Sequence, residues 1–275
     1  MHTAIRIMAT GILLTCLFLI SCSDNGAPKE GTPAYYWAAA KETFVASDYV
    51  KTVEHLEKLT TNENEFTTRA RPWLLVMTSG ITRGYMDLAE SFDAGAHASK
   101  TNSTAFRRST NAYRAAANRT ALEFVQVFDQ FSKSKDDPVP LALPSPTGGM
   151  TPAPQLARAA AGTMPLPGEL EPAVKHSIKR GVLLATCAAA GAPEDPAKTQ
   201  ELLKAGTLQV PRAAFMTAMA TTLFEESKLY GQRQIDNPER VKIFCTRALD
   251  ALKTVPETKQ TKELSSKITK SLKTT

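Results

Sequence analysis

From residue 72 to residue 131 the apolar side chains return every three or four positions, and that spacing restricts the segment to helices that pack along one face. Pro72 to Phe92 sets Leu74, Thr78, Ile81, Tyr85, Leu88 and Phe92 on one side of a helix. Ser103 to Ser132 does the same with Phe106, Tyr113, Ala117, Ala121, Phe124, Phe128 and Phe131. Two such helices joined by a short connection predict an antiparallel hairpin. An aromatic row at this spacing builds a core or, in the alternative, lines a ligand groove. No alternating apolar and polar stretch marks a strand, so the expected fold class is all-α.

Proline marks where the helices start. Its fixed φ and missing N–H suit the first helical position behind a capping side chain, as in Thr32-Pro33, Asp195-Pro196 and Asn237-Pro238. Pro72, Pro172, Pro211 and Pro256 are expected to start helices likewise. Val174, Ile178, Val182 and Ala185 share one face, a short helix follows from Pro196 to Ala205, and Gly206 stops it. A longer helix carries Phe215, Met219 and Leu223 towards Tyr230. The last two carry Val241, Phe244, Ala248 and Leu252, then Leu264, Ile268 and Leu272.

Between these halves, residues 133–171 are crowded with proline and glycine, which excludes a long regular element. The segment reads as a linker or long loop with one short helix near Gln155 to Ala161. A mobile connector is the expectation, and an extended recognition segment is the alternative.

The amino terminus has a different texture. One positive charge, Arg6, precedes an apolar stretch from Ile7 to Ile20, which is shorter than the ~20 residues a helix needs to cross a bilayer. That is the layout of a cleavable signal peptide. It ends in Leu19-Ile20-Ser21-Cys22, where hydrophobicity stops and Ser23-Asp24-Asn25-Gly26 begins polar sequence. This junction resembles the lipobox of bacterial lipoproteins. The resemblance implies that Cys22 takes a diacylglycerol thioether and becomes the new amino terminus, so that the acyl chains hold the protein at a membrane. In that family the residue after the cysteine guides sorting, and Ser23 implies the periplasmic face of an outer membrane. The chain then divides into a signal peptide (1–21), a lipidated tether (22–31), an N-terminal helical region (32–132), the linker (133–171) and a C-terminal helical region (172–275).

Residues 36–59 contain two short apolar helices turning at Ser47-Asp48-Tyr49, with small residues Ala39, Ala40 and Thr52 at the positions where the helices meet. They resemble one tetratricopeptide unit. A second pair near residues 213–252 is similar through Arg247-Ala248-Leu249. No 34-residue period recurs, so the expected architecture is antiparallel helix pairs stacked as a tetratricopeptide-like solenoid or as an irregular bundle. Such repeats present concave surfaces to protein segments, so the resemblance implies binding.

Of four cysteines, Cys16 leaves with the signal peptide and Cys22 is lipidated. Cys187 and Cys245 remain in a compartment that permits disulfides, and they either pair or lie apart as small buried hydrophobes. The net charge of +6 is too mild to single out nucleic acid as a partner. His55, His97 and His176 are scattered, and no metal-ligand, phosphate-loop, dinucleotide or nucleophile-elbow motif occurs, so no metal and no cofactor are expected. Glu225-Glu226 with Asp236 and Glu239 is the densest acidic group, of interest because paired carboxylates can cleave glycans. The tail from Lys253 to Lys273 is lysine-rich and amphipathic, which reads as a solvated helix face or as a contact for anionic lipid.

These readings converge on a membrane-anchored, non-enzymatic helical scaffold that binds an envelope protein partner. A lipoprotein that binds a small molecule or glycan in an interhelical cleft is the alternative. An envelope hydrolase using Glu225 or Glu226 is the third.

Overall fold

The computed structural model describes residues 28–274. The signal-peptide and Cys22 expectations fall outside these residues. Among the described residues the protein is an all-α bundle of ten helices packed in antiparallel pairs.

The helices are α1 (Pro33–Val45), α2 (Tyr49–Thr61), α3 (Thr67–Ala98), α4 (Ser103–Phe131), α5 (Pro154–Ala160), α6 (Pro167–Ala189), α7 (Pro196–Leu203), α8 (Arg212–Ser227), α9 (Pro238–Lys253) and α10 (Lys259–Thr274). The expected caps Thr32, Asp195 and Asn237 are present, and Asp48 caps α2 as well; each accepts a hydrogen bond from the backbone N–H three residues on, at 3.0–3.3 Å. The turn between α1 and α2 closes with Ser47 at a φ of +60°. Asp48 N–H donates to Thr43 O and Ser47 N–H to Phe44 O, which satisfies the last carbonyls of α1.

Two of the seven prolines expected at helix starts lie inside helices. Pro72 is in the second turn of α3, and Pro172 in the second turn of α6. Each helix begins earlier because a stronger start signal stands upstream. At α3 the Thr67 hydroxyl accepts from Asn64 N–H at 2.9 Å and donates to Leu59 O at 3.0 Å, clasping the end of α2 to the start of α3. At α6 Pro167 takes the first position, while the Glu169 carboxylate accepts from Leu166 N–H at 3.0 Å. A proline one turn further in removes a single helical hydrogen bond.

The centre of the molecule is α3, which packs against α4, α6, α5 and α2. Trp73, Leu74, Leu75, Val76 and Met77 are all fully buried, so this helix is apolar on every side at its amino-terminal half. The crossing with α6 is made by glycines: Gly80 and Gly84 face the backbone of Val182 and Ile178, and Gly181 faces Gly80. At that crossing the Ser177 hydroxyl donates to Gly84 O at 3.1 Å. A second, smaller core around Leu88, Phe92, Phe106, Leu156 and Ala173 joins the far ends of α3 and α4 to α5 and α6.

Residues 133–171 are not a loose connector. A strand β1 (Val139–Leu141) pairs antiparallel with β2 (Leu208–Val210), with Val139 opposite Val210. Val139, Leu141, Ala142 and Leu143 are buried, and α5 lies where a short helix was expected. The strand was not expected because three residues are too few to display an alternating pattern. It exists through its partner, nearly seventy positions away in the chain.

Candidate functional site

The second half of the bundle leaves a groove beside α3. The sequence of α8 explains it, since the helix has two unlike faces. Phe215, Met219 and Leu223 are buried in the core, while Ala214, Ala218, Thr221 and Glu225 form a row at helical spacing one third of a turn away. The short side chains of Ala214, Ala218 and Thr221 cannot fill the space towards α3 and α6. The result is a cavity of about 840 Å³, bounded also by Met86 of α3, Ala185 and Ala188 of α6, and Val255 to Thr261 ahead of and into α10.

The groove brings charged groups together from elements far apart in sequence. Arg83, Asp87 and Glu90 come from α3, and Glu225, Glu226 and Lys228 from α8 and the 3-10 turn that extends it (Lys228–Tyr230). Asp87 is paired with Arg180, whose guanidinium also donates to Met150 O and so pins the loop before α5. Burial pushes the Asp87 carboxyl up, opposed by Arg180 and Arg83. Burial and the nearby Asp87 push Glu90 up, opposed by Lys228. Lys228 is paired with Glu225, and its ammonium lies 5.7 Å from the centre of the Phe224 ring.

Glu226 differs from the rest. It lines the groove, yet the residue is only 3% exposed and neither carboxylate oxygen has a hydrogen-bond partner. Burial alone raises this carboxyl well above the usual carboxylate range. It stands in the core row of α8, eleven residues on from Phe215 and seven from Met219, and is buried with them. One turn on, the Tyr230 hydroxyl is buried without a well-formed hydrogen bond, and the Arg240 guanidinium lies 5.5 Å from the centre of its ring. Burial raises this phenol to about 12.

The acidic group seen in the sequence is therefore split. Glu225 and Glu226 join Asp87 and Glu90 at the groove, whereas Asp236, at a φ of +55°, and Glu239, in the first turn of α9, do not line it. The sequence reading followed the large residues of α8 and missed the small ones. The row Ala214, Ala218, Thr221 was the available signal, and the contributions of Asp87 and Glu90 carried none. Cys187 on α6 and Cys245 on α9 are both free, buried thiols, so the structure has separate small hydrophobes where a disulfide was one of two alternatives. Burial raises both thiols; Thr199 lies beside Cys187, and Ser227 and Ser271 lie beside Cys245.

His176 Nε2–H donates to Thr151 O, 2.9 Å away, and no group of three metal-ligating side chains occurs among the described residues. No helix among them is long and apolar enough to cross a membrane. A second groove, of about 760 Å³, runs between α9 and α10 and is edged by Lys253, Lys262, Lys270 and Lys273. No protein-family model, no curated protein and no solved structure matches this chain significantly.

Proposed function

We propose that this protein is a lipid-anchored, non-enzymatic binding protein of the bacterial envelope, and that its ligand is a small amphipathic molecule held in the groove between α3, α6 and α8. The observation that carries the reading is the groove itself. Its volume of about 840 Å³ falls within the ~300–1,000 Å³ common for small-molecule sites. Its walls mix short apolar side chains of α6 and α8 with polar and charged groups of α3, α8 and the start of α10, a lining that suits an amphipathic molecule. Binding is favoured over hydrolysis because both Glu226 oxygens are closed to water, whereas a carboxylate acid or base must reach substrate and water.

The direct test fills the groove. Ala218→Trp places a large ring on its α8 wall. The wild-type protein is expected to copurify with, or be thermally stabilised by, a small amphipathic compound that the folded variant no longer retains. Equal retention by both proteins overturns the reading.

A scaffold for an envelope protein is the second reading, and one observation favours it. Val45 and Val50, 73% and 52% exposed, project at the tip of the α1–α2 hairpin. A protein that crosslinks to wild type but not to the pair Val45→Asp, Val50→Asp would support it. The anchor is tested by Cys22→Ala, which is expected to abolish labelling by a palmitate analogue and retention in the membrane fraction.

A further inference from the structure

We infer that the groove between α9 and α10 is a second site, and that it holds an anionic phospholipid, with the phosphate against a lysine rim and the glycerol and first acyl carbons on an apolar floor. It meets the α3–α6–α8 groove only at Val255 and Thr261. The sequence of α10 sets up the rim. Leu264, Ile268 and Leu272 pack against the core. Lys259, Lys262, Lys270 and Lys273 lie on the opposite side, within about a quarter of a turn of one another at ~3.6 residues per turn. The floor comes mainly from α9 and the turn after it, where Leu249 and Val255 are half-buried beside Leu252. Ser265 and Ser266 add hydroxyls between floor and rim. The whole groove measures about 760 Å³.

The charges select an anion. Lys253 of α9 joins Lys262, Lys270 and Lys273 along the groove, and Glu257 is the one acid that lines it, which leaves an excess of three positive charges. Lys253 is paired with Asp250 and Lys262 with Glu257, but all four side chains are about half exposed or more. Such pairs contribute little, so an incoming anion can compete for both lysines. Lys270 and Lys273 form no ion pair among the described residues. A free phosphate or an acidic peptide would answer this charge and leave the apolar floor uncovered. A phospholipid covers both, because its glycerol and acyl carbons extend from the phosphate onto Leu249, Leu252 and Val255. Lysines close to an anionic lipid surface are drawn to it by its negative potential. The inference does not depend on the anchor proposed at Cys22, although that anchor would keep lipid within reach.

The test is calorimetric titration of the full-length protein with short-chain lipids in solution. Dihexanoyl phosphatidylglycerol is expected to bind at least tenfold more tightly than dihexanoyl phosphatidylcholine, and to weaken severalfold when sodium chloride rises from about 50 to about 300 mM. Glycerol phosphate and hexaglutamate, which carry the charge without the acyl chains, are expected to bind at least tenfold more weakly than the anionic lipid. The triple variant Lys253→Gln, Lys270→Gln, Lys273→Gln is expected to bring the anionic lipid down to the phosphatidylcholine level. A control triple with the same net charge, Lys58→Gln, Lys198→Gln, Lys204→Gln, changes exposed lysines elsewhere and should keep the preference. Equal binding of the two lipids overturns the inference, as does equal loss in both triples, which would mean that net charge alone is at work. Glycerol phosphate binding as tightly as the lipid makes the ligand a free phosphate, and hexaglutamate doing so makes it an acidic peptide; either overturns the lipid. The wild-type ranking decides the matter even if a triple variant does not fold. None of these outcomes bears on the α3–α6–α8 groove, which Ala218→Trp tests separately.

Discussion

Gly181 of α6 faces Gly80 of α3 so closely that a Cβ placed on Gly181 would lie 2.1 Å from the Gly80 carbonyl oxygen. The two helices that frame the groove are thus held at a backbone-to-backbone distance that no side chain permits. Gly181→Ala is expected to destabilise the protein by at least the ~1–3 kcal/mol typical of overpacked cores, because the obstructing atom is backbone and cannot swing away. Gly168→Ala in the first turn of the same helix, where a Cβ meets nothing, should change stability by less than about 0.5 kcal/mol. Chemical denaturation of the two variants checks the contrast.

Glu226 should make stability fall as pH rises. Its carboxyl holds a proton more tightly folded than unfolded, so the stabilising contribution is complete below the unfolded value near 4.5 and declines as pH climbs through the window above it. Glu226→Gln is expected to flatten that slope and to raise the melting temperature at neutral pH by a few degrees, at about 2–4 °C per kcal/mol for a domain of this size. Melting curves of both proteins from pH 4 to pH 9 provide the check; a parallel pair of curves would contradict it.

Leu141 tests whether residues 133–171 belong to the core. It is fully buried in β1, so Leu141→Ala is expected to lose about 2–5 kcal/mol. A loss under 0.5 kcal/mol would mean that the strand is not packed as described. Limited proteolysis of the native protein should likewise spare Val139 to Leu143.

Cys187 and Cys245 should be silent towards a thiol reagent in the native protein, since both are buried and burial disfavours the thiolate. After denaturation without reductant both should react, as peptide mapping would show. Recovery of a linked Cys187–Cys245 peptide would refute the free-thiol arrangement.

Arg247 of α9 and Asp129 of α4 form a two-pronged ion pair, with contacts of 2.7 and 3.2 Å. Both side chains are more than a third exposed, at 39% and 37%, so Asp129→Asn should lose only about 0.2–1 kcal/mol. The loss should shrink in high salt, where exposed charges are screened.

Much of the helical order could be read from local chemistry. A capping oxygen followed by proline located α1, α7 and α9, and periodic large residues located the α3–α4 hairpin, because both signals act within a turn or two of the chain. Pro72 and Pro172 misled for the same reason, since proline reports a position tolerated in the first turns of a helix and does not by itself fix where the helix starts. The groove was half legible. Glu225 and Glu226 stood out as adjacent acids, and local spacing separates them, since Glu226 continues the row of Phe215, Met219 and Leu223 while Glu225 stands three residues from Lys228.

What the sequence determined by itself was the set of helices and their apolar faces, since hydrogen bonds, caps and periodicity are settled between near neighbours. What only the tertiary structure decided was the company each face keeps. Gly80 meeting Gly181, Val139 pairing with Val210 and Asp87 joining the α8 acids are contacts between residues about seventy to 140 positions apart. Short apolar runs and small side chains are compatible with many such partners, and the choice among them is made by close packing of the whole bundle.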